Sequence, residues 1–127
     1  PRVGLIAGAG GIHRLTRQIP LKHAMGLLLT GRLIGTEEAH RLGFVNEVVP
    51  AAELMDAAQR WAREILECSP LLLRLTKESA QDGFGRSVDD ALARDWEERI
   101  PRMLASHDHA EGPKAFVSKR KPNFTGK

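Results

Sequence analysis

The chain has 127 residues, a net charge of +3, 42% hydrophobic and 28% charged residues, one cysteine and no tyrosine. That is the size of one ordinary domain, and the balance of apolar and charged residues excludes a disordered chain. With Cys68 alone no internal disulfide can form, which points to an intracellular, cytoplasmic protein.

No apolar run approaches the roughly 20 residues of a membrane span, so no membrane partner is expected. The basic excess gathers at the C-terminus, in Lys119-Arg120-Lys121 and Lys127, whereas elsewhere acids and bases interleave, as in Glu97-Glu98-Arg99. This is the pattern of solvated helix faces and predicts no nucleic-acid partner. A first residue of Pro1 instead of Met is read as a processed chain or a fragment.

In chain order, Val3 to Ala7 is apolar and reads as extended, leading into Gly8-Ala9-Gly10-Gly11 and a short helix over Ile12 to Arg17. Pro20 suits the first turn of a helix over Leu21 to Leu29, closed by Thr30-Gly31. Thr36 is placed to cap a helix through Leu42, with Glu37 and Glu38 at its positive end. Phe44 to Val49 is the best strand candidate, stopped by Pro50. Leu54, Ala58, Trp61, Ile65 and Cys68 recur at helical spacing and predict an amphipathic helix with one packed face. Ser69-Pro70 opens a further helix to about Asp82. Ser87 with Asp90 opens another through about Ile100, and Asp108 with Glu111 a last one ending in Lys119-Arg120-Lys121.

The residues themselves display no catalytic centre. A dinucleotide fingerprint would need a glycine where His13 stands, and Gly-Lys-Ser/Thr of a phosphate loop does not occur. The glycine cluster is either a plain turn or a place where a ligand or backbone approaches closely. His107, Asp108, His109 and Glu111 suggest a metal site only until capping accounts for the two acids, so they are read as solvent-facing residues and no metal is expected. Cys68 on a packed face is read as inert. No carboxylates are spaced for acid/base work.

Two segments carry a resemblance. Val3-Gly4-Leu5-Ile6-Ala7-Gly8-Ala9-Gly10-Gly11-Ile12-His13-Arg14-Leu15, followed by Leu29-Thr30-Gly31-Arg32 and by Ala39 through Pro50, resembles the stretch after the second catalytic acid of the enoyl-CoA hydratase/isomerase (crotonase) family. Glu111-Gly112-Pro113-Lys114-Ala115-Phe116-Val117-Ser118-Lys119-Arg120-Lys121-Pro122-Asn123-Phe124 resembles that family's closing helix and tail. The order and spacing of these anchors extend the resemblance over essentially the whole chain.

The resemblance implies the C-terminal half of a crotonase-like α/β subunit, mainly α with one or two short strands near its N-terminus. Residues 1–50 would end the spiral core, and residues 51–127 would form a helical oligomerisation and CoA-covering region. It implies an acyl-CoA thioester as substrate, and water added to a 2-enoyl-CoA through an enolate held in an oxyanion hole. A double-bond isomerase or a carnitinyl-CoA dehydratase-like enzyme is the alternative. For the isolated chain, a non-catalytic assembly or CoA-binding module is the other reading.

In this register no catalytic residue lies in the chain, because both glutamates and the oxyanion segment fall upstream of Pro1. Gly8 matches a glycine lining the catalytic pocket, and Phe116 and Lys119 match positions that meet coenzyme A, usually that of a neighbouring subunit. Ile100 falls near a position where an aromatic is often seen. No cofactor is implied beyond the coenzyme A of the substrate. The implied partner is a second copy of the chain, in a homotrimer or dimer of trimers.

Overall fold

A computed structural model describes all 127 residues, and all of its regular structure is helical. Two compact units divide it, Pro1–Leu54 and Met55–Lys127.

In the first unit, α1 (Gly11–Gln18) and α2 (Leu21–Thr30) pack on each other, and α3 (Thr36–Leu42) follows. Gly10 opens α1 with φ 95°, and a Cβ there would lie 3.0 Å from the Arg14 guanidinium, so the turn requires glycine. Gly31 closes α2 in the left-handed conformation as expected. Arg2 donates from Nε to the Thr30 carbonyl at 2.6 Å, tying the chain start to the end of α2. Arg32 forms a two-pronged ion pair with Glu38, joining the loop after α2 to α3. The cap of α3 is Gly35, and Thr36 is already its first helical residue. Only Ile19, Ala24 and Ala39 are fully buried apolar residues in this unit.

Neither expected strand is present: residues 3–7 and 44–49 are irregular. A strand exists through the hydrogen-bond ladder it shares with a neighbour, and no second strand occurs in these 127 residues to supply one. Val3, Leu5 and Ile6 lie exposed.

After a single 3₁₀ turn at Ala51–Glu53, the second unit holds α4 (Leu54–Leu66, whose first residue closes the first unit), α5 (Pro70–Gly83), α6 (Val88–Arg94), α7 (Ile100–Leu104) and α8 (His107–Val117). Ser69 caps α5 by accepting from Leu72 N at 3.2 Å, with Pro70 in the first turn. Ser87 caps α6 by accepting from Asp90 N at 3.1 Å. Both signals read from the sequence hold.

The helix expected from Ser87 to Ile100 runs further and changes pitch. A π turn at Asp95–Arg99 joins α6 to α7, just before Pro101. A proline there has no N–H for the carbonyl four residues back and crowds it, and a wider turn accommodates both effects. Arg99 closes this turn and is buried, with Nη1 2.9 Å from Asp95 and Nη2 3.2 Å from Asp82. Asp82 also receives Arg94 at 2.7 Å and Arg86 at 3.1 Å. The Arg94 and Arg86 hydrogen bonds hold its carboxyl at about 2 against the opposing effect of burial. This cluster fastens the end of α5 to α6 and the π turn.

The face of α4 expected to be packed is open in this chain: Leu54, Trp61 and Ile65 are exposed, and Ala57 alone is buried. Cys68, expected on that face, is free and exposed as well. Periodicity identifies an amphipathic helix but not what covers it. No helix is long and apolar enough to cross a membrane.

Candidate functional site

The second unit is organised around two buried carboxylates at the start of α8. The cap of α8 is Ser106, which accepts from His109 N at 3.1 Å. Asp108 and Glu111, read as capping and solvent-facing, therefore have other duties. Asp108 is 1% exposed, the most deeply buried charged side chain in the chain. It accepts from Ser69 Oγ at 2.5 Å, Thr125 N at 2.7 Å and Gly126 N at 2.9 Å. Burial pushes its carboxyl up, but these three donors outweigh that, and it sits well below the usual carboxylate range.

Glu111 takes a bidentate pair from Arg120, Nη1–Oε1 2.6 Å and Nη2–Oε2 2.9 Å, and a further hydrogen bond from Asn123 N at 2.8 Å. The Arg120 hydrogen bonds and then the Asn123 amide lower its pKa to about 2. Finally, His107 N donates to the Lys127 carbonyl at 2.8 Å, satisfying one of the free amides of the helix start. The ten residues after α8 are thus folded back along it, with Phe124 over Gly112 and Gly126 against Pro70.

Phe116 and Lys119 stand where this return begins. Helix α8 ends at Val117, short of the basic cluster. Lys119 N donates to Phe116 O at 3.1 Å and Arg120 N to Ala115 O at 3.0 Å, the two bonds of a Schellman helix end. The residue that such an end places in the left-handed region is usually glycine. Here it is Lys119, at φ 51° the one non-glycine residue of the chain with positive φ. For an L-residue this conformation costs about 1 kcal/mol. Phe116 is 85% exposed, and Lys119 is exposed beside it. Arg120 is committed to Glu111, so the basic run does not present three free cations.

Gly8 belongs to the other unit. Its N–H bonds the Ile6 carbonyl at 2.7 Å, and a Cβ on it would meet only Ile6, at 3.7 Å, so nothing within the chain crowds this position. Phe116 and Lys119 are brought together by one helix turn, whereas Gly8 shares no element with them.

A shallow concavity lies at the end of α8, walled by Pro113, Lys114, Val117 and Ser118, and two more lie elsewhere in the second unit. One, of about 360 Å³, is walled by Leu66, Glu67, Cys68 and Pro70 and by the returning tail from Lys121 to Phe124. The other, of about 390 Å³, is largely apolar and runs from Leu72 and Leu75 across to Arg99 and Met103. None of the three includes Gly8, Phe116 or Lys119. No three His, Cys, Asp or Glu side chains converge in positions to ligate a metal. Sequence reasoning missed the work of Asp108, Glu111 and Arg120. The available signal was Ser106, a cap placed two residues before Asp108, which frees both acids for other partners.

All of residues 1–127 match the enoyl-CoA hydratase/isomerase family. Over 125 residues the chain is 39% identical to a probable enoyl-CoA hydratase, echA8, of Mycobacterium tuberculosis, covering 98% of this chain and 48% of that protein. Against carnitinyl-CoA dehydratase of Escherichia coli K12 the identity is 35% over 129 residues, covering 99% and 49%. Among solved structures, enoyl-CoA hydratase EchA1 of Mycobacterium marinum superposes with a TM-score of 0.89 at 38% identity, covering 99% of this chain and 50% of that one. Enoyl-CoA hydratase of Bacillus anthracis gives 0.91 at 33%, covering 99% and 48%. The chain spans about half the length of the relatives it matches. Matching in sequence over its full length and in backbone course, the chain belongs to the enoyl-CoA hydratase/isomerase family.

Proposed function

We propose that these residues are part of an acyl-CoA hydratase that adds water to a 2-enoyl-CoA. The catalytic carboxylates and the oxyanion segment lie in the portion of the family chain that they do not span. The observation that carries this reading is the end of α8, where an exposed aromatic ring and an exposed ammonium share one turn. Coenzyme A offers a counterpart to each, an adenine face for Phe116 and phosphates for Lys119. Gly8, approached within the chain by Ile6 alone, suits the wall of the catalytic pocket. The thioester is its own electron sink, so the reaction needs no cofactor beyond the coenzyme A of the substrate. The exposed apolar helix faces support a homo-oligomer, and the family resemblance supports its form as a trimer or dimer of trimers.

A double-bond isomerase or a dehydratase is the second reading, favoured by the 35% identity to a protein named carnitinyl-CoA dehydratase. Presenting crotonyl-CoA to the purified 127-residue chain, and following loss of the conjugated thioester absorbance, tests where the catalytic groups lie. No turnover is expected, since general acid/base groups and oxyanion donors each contribute orders of magnitude in rate. Saturable hydration by this chain alone would overturn the reading.

A further inference from the structure

The end of α8 poses a question of side-chain choice. Glycine would form this turn without strain, yet the left-handed position holds Lys119. Something else must fix the turn, and the surrounding contacts name it. On one side Arg120, the next residue, is drawn back onto Glu111 by two hydrogen bonds of 2.6 and 2.9 Å. Asn123 N is held by the same carboxylate at 2.8 Å. On the other side, the Phe116 and Ala115 carbonyls receive the Lys119 and Arg120 amides. Glu111 itself is nine-tenths buried on the body of α8, so it is a fixed point against which the turn is set.

We propose that Glu111 and Arg120 are positioning residues, a clasp that holds Lys119 in the left-handed turn so that its ammonium and the Phe116 ring meet the nucleotide end of coenzyme A together. This rests on the reading of Phe116 and Lys119 given above, and adds to it the pair that acts through them. A free lysine in a flexible tail would have to be ordered at each binding event, whereas a clasped turn carries that ordering in the fold.

The test is calorimetric titration of the intact protein with coenzyme A, alongside a melting curve for each variant. Lys119→Ala is expected to weaken binding about tenfold, the size of one charge-assisted contact. Glu111→Gln and Arg120→Gln should each weaken it about fivefold in the native background, and neither should weaken it further in the Lys119→Ala background. Lys119→Gly should lose affinity as Lys119→Ala does while raising the melting midpoint, because it relieves the backbone.

A clasp that merely supports the fold would weaken binding by the same factor with or without the lysine, and that additive result overturns the proposal. If Lys119→Ala weakens binding but neither clasp variant does, the positioning role alone falls. If Lys119→Ala leaves the affinity unchanged, or the native protein does not bind coenzyme A, the reading of the α8 end falls and the clasp proposal with it. Should Glu111→Gln fail to fold, Arg120→Gln carries the same test, because it leaves the Glu111–Asn123 contact in place.

Discussion

Asp108 is a carboxylate where a small domain would ordinarily hide a leucine, and its energetics follow from its donors. A buried charge is tolerated only when hydrogen bonds replace its hydration, and here a hydroxyl and two backbone amides do so. Asp108→Asn keeps the shape but turns an NH₂ toward amides that need an acceptor. It should lower the melting midpoint by about 5–10 °C, in the range of a large single-residue loss for a chain of this size. Thr125 and Gly126 should lose amide-exchange protection first.

Glu111 adds a pH dependence of definite sign. Its folded pKa of about 2 lies below the ordinary 4.5, so the unfolded chain takes up the proton first as acidity rises. The stability it supplies is complete above about pH 4.5 and is lost as the pH falls toward about 2. Asp108 shifts in the same direction. The melting midpoint of the native chain should therefore be flat near neutrality and fall below about pH 4.5, and Glu111→Gln should flatten part of that fall. A variant with an unchanged slope would remove Glu111 from this account.

At the scale of elements, the helix caps separate two serines that look alike in sequence. Ser87 caps α6 in an exposed position, and Ser87→Ala should cost about 1 kcal/mol in urea unfolding, the usual worth of such a cap. Ser69 caps α5 and also donates to buried Asp108, so Ser69→Ala removes a cap and strips a buried carboxylate of a partner. Its loss should be clearly the larger of the two; equal losses would show that the Ser69–Asp108 contact contributes nothing. The π turn belongs to this scale too. The expected helix end at about Ile100 falls just before Pro101, but that the chain would widen and continue, with Arg99 drawn onto Asp95 of its own turn and Asp82 of α5, depended on an acid from a different helix.

For the whole molecule, the apolar interior is small. Its fully buried apolar residues are Ile19, Leu75 and four alanines, while Trp96 is 68% and Leu54 61% exposed. The Leu71-Leu72-Leu73 run is half-buried and Leu75 fully so, which places most of that stripe inside its own unit. The α4 face of Leu54, Trp61 and Ile65, and the face of α6 and the π turn with Val88, Leu92 and Trp96, remain outside. Contiguous apolar surface of this kind drives association in water. The isolated chain should therefore associate as its concentration rises, seen as growth in light-scattering mass, and should bind a fluorescent apolar dye. A clean monomer at high concentration would count against these faces as interfaces.

What the sequence determined by itself was local. Helix positions, the Ser69 and Ser87 caps and the glycine helix ends all follow from residues within a few positions of one another, because propensity, capping and left-handed closure are short-range effects; the family resemblance came from several such local segments in their order along the chain. The fates of the polar and apolar side chains were decided by contacts across long sequence separations. Asp108 meets Ser69, 39 residues away, and Glu111 meets Arg120 across a chain reversal. The two absent strands and the open α4 face make the same point in the negative. An alternating or periodic pattern sets which surface is apolar, whereas a ladder or a packed face also needs a partner, and a partner is supplied only by tertiary structure.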